Sequence, residues 1–313
     1  MILNFTSFEK QRLDDFLRKN LPGAVDEPNV SNSKIRRLIV AGAVSVNKAQ
    51  VRRPAFELRG ISHIEVNYEK EKFLFEKQPD DVKFELSEKN ILFEDEFIIC
   101  VDKPALFPTE ETLAGGEKRD NLHAAVVRYL WKKNPGLRNP PYAGIMHRLD
   151  RETSGVILFT KQRSVNKEIQ RMFAEHDFIK NYLALCADDS GKLRPGKEFS
   201  VEMFMNRISP KSHAAKWGSV SESSGGLYSR TDFCVLKEVF YGDKKFFLVR
   251  ANLFTGRTHQ IRVHLSCSGF PILGDVLYGG KPEKRVMLHS ARLEFRHPVS
   301  GKLIRVQSEP PFC

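Results

Sequence analysis

The stretch Met146-His147-Arg148-Leu149-Asp150-Arg151-Glu152-Thr153-Ser154-Gly155 crowds carboxylates, guanidinium groups, an imidazole and hydroxyls into one short run. An apolar run to Thr160 follows, which reads as a buried strand. A charge-rich loop entering such a strand holds its functional groups at the edge of a rigid sheet, where sites are built. Cationic neighbours favour Asp150 as a carboxylate. An oriented carboxylate can act as a nucleophile or stabilise developing positive charge. Other readings of the same residues stay open. Asp150 could be half of a structural salt bridge or cap a turn. His147 could ligate a metal, but further ligands at a suitable spacing are missing. Ser154 could be a hydrolase nucleophile, but the Gly-x-Ser-x-Gly elbow is missing. Asp150 and Glu152 could serve as the acid/base pair of a carbohydrate or nucleotide hydrolase, although they are two positions apart and such a pair needs a defined gap.

The second chemical stretch is Leu253-Phe254-Thr255-Gly256-Arg257-Thr258-His259-Gln260-Ile261-Arg262-Val263-His264-Leu265. A strand ends at Leu253, Gly256 permits a tight turn and Thr258 caps a helix. Arg262 then lies one turn into that helix and can pair with a carboxylate from elsewhere, Asp150 being the obvious candidate.

These groups need elements to hold them. Ile91–Lys103 reads as two strands with a turn at Glu94-Asp95-Glu96. Leu122–Trp131 has helical spacing behind Asp120 as a cap. Ser164 caps a helix that turns Val165, Ile169, Met172 and Phe173 inward. Ile179–Ala187 and Phe246–Leu253 are further strands. The order does not alternate regularly, so the fold class is α+β, with a mixed, mainly antiparallel sheet and not a doubly wound one.

Upstream, residues 11–70 read as a small α/β domain. A short helix carries Leu13, Phe16 and Leu17 and stops near Pro22-Gly23. A second starts at Ser31 or Ser33, buries Ile35, Leu38 and Ile39, and ends at Gly42. Ala43–Asn47 alternates as a strand before a polar turn. Lys34, Arg36 and Arg37 lie opposite the apolar stripe, with Arg52 and Arg53 further on. Arginine forks suit phosphate oxygens, although a solvated basic face has the same pattern. Residues 71–90 are half charged and read as a linker, leaving 91–313 as the second domain.

The whole chain agrees with a polyanion partner. Its 313 residues carry 50 Lys+Arg against 39 Asp+Glu, a net charge of +11. Such a surface attracts nucleic acid. No apolar run approaches the ~18 residues of a membrane span, and Met1–Lys10 lacks a secretory layout, so a cytoplasmic location is expected. The 5 cysteines, Cys100, Cys186, Cys234, Cys267 and Cys313, form no CxxC and read as small apolar fillers, Cys313 at the chain end least of all.

Two resemblances sharpen this reading. RLDDFL, SNSKIRRLIVAGAVSVN and RRPAFELRGISHIEV, over Arg12–Val66, resemble the S-four-type RNA-binding domain, which implies binding of structured RNA through residues such as Lys34, Arg36 and Arg37. Lys48 stands where that pattern has Gly. Downstream, HRLDRETSG, TGRTHQIRVH, PILGDVLYGG, VDKP and the Lys180–Ala184 segment closely resemble RluA-type RNA pseudouridine synthases over about Ile91–Pro310. That resemblance implies that Asp150 is the essential carboxylate. It also implies that Tyr182 stacks on the target base and takes part in proton transfer, and that Arg262 pairs with Asp150. Arg148 would fill the gap left by the extruded uridine, and Leu253 would line the pocket. The segments Ala105–Glu111 and Gly196–Arg230 depart from the family's pattern.

The expected function is isomerisation of uridine to pseudouridine in RNA, in large-subunit ribosomal RNA before transfer RNA. No metal or cofactor is expected, because the reaction needs neither redox change nor external energy. A monomer without membrane contact is expected. The competing reading is a catalytically idle RNA-binding factor in ribosome assembly.

Overall fold

The computed structural model describes residues 2–25, 30–68, 81–111, 113–114, 117–209 and 215–312. The chain divides into two compact units, one reaching to Pro79 and the other comprising almost everything from Asp80 onward.

In the smaller unit, helices Leu13–Ala24 and Asn32–Val40 share a core with a four-stranded antiparallel sheet. Its strand order is Ile2–Ser7, Ser62–Asn67, Val44–Val46, Ala49–Val51. The strand Ile2–Ser7 lies ahead of residue 11, the expected start of the domain. Leu13, Phe16, Leu17 and Leu21 form the buried stripe of the first helix, and Ile35, Leu38 and Ile39 that of the second. The first helix does not stop at Pro22 but continues to Ala24. Ser31 is the cap of the second helix, accepting the Lys34 N–H at 3.3 Å, and Gly42 follows it with φ +82°. Asn47 and Lys48 both take left-handed φ, at 51° and 67°. This is the two-residue hairpin turn that matches strand twist. Lys48 therefore keeps the turn at a cost of about 1 kcal/mol relative to glycine.

The larger unit is built on an 11-stranded mixed sheet. In order across it run Trp217–Ser219, Glu198–Arg207, Leu227–Tyr241, Lys244–Leu253, Ile179–Cys186, Leu288–Arg296, Ser154–Thr160, Ile98–Lys103 and Ile91–Glu94. Gly144–Ile145 adds to Ser154–Thr160, and Leu303–Gln307 to Leu288–Arg296. The described pairings are antiparallel except Ser154–Thr160 beside Leu288–Arg296. The segment Ser154–Thr160 is buried throughout because both its faces are covered. Ile157 and Phe159 pack with Leu122, Val126 and Leu130 of helix Leu122–Lys133. Val156 and Leu158 pack with Ile169 and Met172 of helix Asn166–Ala174.

Several local details differ from the sequence reading. Asn121, not Asp120, caps the first of these helices, accepting the Ala124 N–H at 3.0 Å, while Asp120 accepts the N–H of Asn121 itself. Ser164 caps nothing: a 3₁₀ turn, Arg163–Val165, leads into the second helix. Glu198–Arg207 and Leu227–Tyr241 make a long antiparallel pair, so the Ser/Gly-rich stretch near 219–226 lies between sheet strands. Residues 81–90, part of the charged stretch expected as a linker, belong to the larger unit, with Leu86 buried in its core and Phe84 packed on it; 71–80 lie outside the described residues. Cys100 and Cys186 are core fillers, Cys234 is half-buried and Cys267 is exposed, contrary to expectation; Cys313 lies outside the described residues. No helix among the described residues is long and apolar enough to cross a membrane.

Candidate active site

Two strand ends and two loops of the larger unit enclose a cleft of about 1050 Å³ whose lining includes Arg148, Asp150, Tyr182, Leu253 and Arg262. All five stand in or beside the sequence motifs that carry the family resemblance. Their convergence follows from the sheet. Tyr182 is paired with Ala251 on one side and Ser290 on the other, so it sits between the strand ending at Leu253 and the strand beside Gly155. Gly155, at φ +107°, lets the two parallel strands touch; a Cβ there would overlap the Ser290 carbonyl. The loop carrying Asp150 is held where it enters this crossing.

Buried Lys103 fixes that loop from below. Its ammonium donates to the carbonyls of Phe107 at 2.7 Å, Pro104 at 2.9 Å and Arg151 at 3.1 Å. Burial pushes its pKa down to about 7, against the opposing charges of Asp150 and Glu152. Thr109 donates to the Leu149 carbonyl at 2.8 Å. The segment 105–111, which departs from the family pattern, is thereby bound directly to the loop that matches it best. Glu110 of this segment also forms an ion pair with Arg148.

The arginine pairing differs from the expectation in one respect. Arg262, almost fully buried, is gripped in a two-pronged pair by Asp275, with Nε–Oδ2 at 2.7 Å and Nη2–Oδ1 at 2.8 Å. Its remaining Nη1 reaches Asp150 Oδ2 at 3.4 Å and Glu152 Oε2 at 3.8 Å. Asp275 is therefore the principal partner and Asp150 the second. This anchoring aims one guanidinium edge at the cleft without relying on Asp150 to hold it. Asp150 and Glu152 face the same guanidinium, so they do not straddle a gap as a hydrolase pair would.

The turn before Arg262 also differs. Gly256 has neither positive φ nor a neighbour that a Cβ would meet. The reversal is made by His259 at φ 57°, and the helix runs Gln260–Cys267 with Thr258 exposed ahead of it. Gln260 locks this loop. It accepts from Thr255 Oγ1 at 2.7 Å and the Arg257 N–H at 3.0 Å, and donates to the Arg230 carbonyl at 3.0 Å and Thr231 Oγ1 at 2.9 Å. All its hydrogen-bonding capacity is used inside the fold.

His147, which also lines the cleft, and Ser154 are each tied into the fold by hydrogen bonds. His147 Nε2 accepts the Leu158 N–H at 3.0 Å, and burial pushes its pKa down to about 3. Ser154, buried, meets His289 Nδ1 at 2.8 Å, while the other ring nitrogen faces the Ser308 carbonyl. No cluster of potential metal ligands occurs among the described residues.

Residues 97–267 match the model of the RNA pseudouridylate synthase family. The chain belongs to the RNA pseudouridine synthase family. An uncharacterised RNA pseudouridine synthase of Mycoplasma pneumoniae is 32% identical, over 95% of this chain and 88% of its own length. The ribosomal large subunit pseudouridine synthase C of Pasteurella multocida is 31% identical, over 95% of this chain and 86% of its own. Among solved structures, the human RNA pseudouridylate synthase domain containing 1 shares the fold, with a TM-score of 0.56 at 24% identity, covering 74% of this chain and 88% of that one.

Tyr182 shares the cleft lining with Phe173, Tyr228 and Phe254. It is buried, its hydroxyl engages Ser290, and burial pushes its pKa up to about 12. At neutral pH it is a phenol. Sequence reasoning did not single out Asp275, His259 or Tyr278, although all three stand inside the motif strings quoted above.

Proposed function

We propose that this synthase isomerises specific uridines of large-subunit ribosomal RNA, with Asp150 as its essential carboxylate. The observation that carries the reading is the placement of Asp150 in the cleft, 3.4 Å from an Arg262 that Asp275 holds in place. The ribosomal target is supported by what the relatives are named for. The smaller unit supports it too, with a helix that buries Ile35, Leu38 and Ile39 and exposes Arg36 and Arg37. We read that unit as an S-four-type domain in which Lys34, Arg36 and Arg37 follow RNA phosphates.

In this reading the target uridine leaves its stack, at a cost of a few kcal/mol offset by phosphate contacts and by stacking on Tyr182. Arg148 fills the gap it leaves, and Leu253 walls the pocket. Asp150 then acts at the ribose, either by adding to C1′ or by drawing off the C2′ proton as uracil departs. A primary isotope effect from deuterium at C2′ belongs to the second route only. Uracil turns and rejoins C1′ through C5, displacing Asp150 in the first route and with the proton returned to C2′ in the second, and the C5 proton must then leave. We place Tyr182 both as the stacking platform and as the acceptor of that proton. A Tyr182→Phe enzyme that accumulates rejoined but still protonated product is the expected result, and normal turnover would remove the second role.

The test is tritium release from total RNA labelled at uracil C5, taken from a strain lacking the protein. Release by wild type and a loss of at least about 10³-fold in Asp150→Asn is the expected result. RNA binding with no release by the wild type would favour the idle assembly factor. Sequencing of the modified sites separates ribosomal from transfer RNA.

A further inference from the structure

We infer that His259 is a positioning residue for Asp150, fixed in one tautomer by a relay that starts at the Trp217 backbone and passes through Tyr278. The Tyr278 hydroxyl oxygen accepts the Trp217 N–H at 2.9 Å. Its own proton needs an acceptor, and His259 Nδ1 lies 2.8 Å away. Nδ1 is then an acceptor, so the proton of the neutral ring stands on Nε2. Burial favours that neutral ring by lowering the His259 pKa.

Nε2 faces Asp150 Oδ2 at 3.8 Å, the same oxygen that Arg262 Nη1 meets at 3.4 Å. Both donors converge on Oδ2, which leaves Oδ1 as the oxygen for the reaction. At 3.8 Å the His259 contact is longer than a hydrogen bond. It needs a shift of about 0.6–0.9 Å to close, as catalytic contacts do when substrate enters. Tyr278 is rigid enough to set this geometry. Its N–H bonds the Asp275 carbonyl at 3.0 Å, its carbonyl accepts Ser266 Oγ at 2.7 Å, and its ring lies 5.2 Å from the Arg262 guanidinium carbon. A left-handed backbone is uncommon in a residue other than glycine, and the relay gives a reason for a side chain at His259.

This inference rests on Asp150 being the essential carboxylate. The test compares His259→Ala, His259→Gln and Tyr278→Phe in the tritium-release assay, over a range of labelled total RNA. A glutamine amide can place an N–H near the position of Nε2. The expected result is a fall in kcat of about 10–100-fold for His259→Ala, the scale of a misplaced reacting group. The half-saturating RNA concentration stays within about twofold. Tyr278→Phe falls between, and His259→Gln recovers most of the rate. Equal turnover by wild type and His259→Ala overturns the inference. A second measurement does not depend on activity. In the wild-type protein carrying ¹⁵N-histidine, the His259 ring, identified by its loss in His259→Gln, should show the Nε2–H form. An Nδ1–H ring overturns the relay whatever the turnover. A wild type that releases no tritium removes the proposed reaction instead, and the tautomer still decides whether the relay exists.

Discussion

Arg262 in the larger unit and Arg36 in the smaller one both meet an aspartate, under opposite conditions. The Arg262 side chain is 5% exposed and its partner Asp275 1%, with contacts of 2.7 and 2.8 Å. The Arg36 side chain is 58% exposed and lies 3.3 Å from Asp14, which is itself 11% exposed and shared with the half-exposed Arg12. A buried charge must be compensated by fixed groups, so it becomes part of the geometry. An exposed one is screened by water and salt, and contributes a field instead of a position. In the proposed function the cleft therefore acts by placement and the basic helix by attraction.

The sharpest way to break that contrast is to neutralise each aspartate. Asp275→Asn keeps the shape but leaves a buried guanidinium short of charge. The loss should be about 3–5 kcal/mol, seen as an earlier melt, together with a large loss of tritium release. Asp14→Asn should cost about 1 kcal/mol or less. Equal costs from thermal unfolding of the two variants would mean that burial does not separate these pairs.

Acid should separate the same regions less steeply. In the larger unit burial pushes His147 down to about 3, and His264 and His289 to about 4, from an ordinary value near 6.5. Between pH 6.5 and 4 the unfolded chain therefore binds more protons than the folded one. Stability is full above pH 6.5 and falls as pH drops through that window. Burial of Asp102 raises its pKa and opposes this trend, but it is one group against four, since burial lowers His259 as well. Both tryptophans, Trp131 and Trp217, lie in the larger unit. Their fluorescence during urea unfolding should report a denaturation midpoint that falls from pH 7 to pH 4.5. A midpoint flat over that range would show that these histidines take up protons without unfolding.

The difference between the regions also explains what could be read in advance. Asp150 and Arg262 were legible because each stands in a string with forced members, whereas Tyr182 and Leu253 were legible only through the family resemblance. Gly155 is demanded by the Ser290 carbonyl, and Gln260 by its four hydrogen bonds. The larger partner of Arg262 was not legible. Asp150 and Asp275 are both aspartates in matched strings, and only the fold shows which one takes two prongs. The same limit applies to capping. Asp120 and Asn121 are adjacent and both can cap, and the choice lies in which side chain reaches Ala124. For the basic helix, the apolar stripe told which face is buried, but nothing in the pattern separates a phosphate contact from a solvated face.

That last ambiguity sets the smallest predicted effect. If Arg36 and Arg37 contact phosphates, Arg36→Ala and Arg37→Ala should each weaken RNA binding about equally across sequences. Each should also reduce the slope of log affinity against log salt by about 1. Arg36 begins partly neutralised by Asp14, so its loss should matter less than that of Arg37 at low salt. Turnover at saturating RNA should not change in either variant, because neither residue shapes the cleft. A salt slope identical to wild type in both would return the helix to a solvated basic face. A drop in saturated turnover would mean that the smaller unit does more than attract, and that the contrast between placement and attraction is drawn in the wrong place.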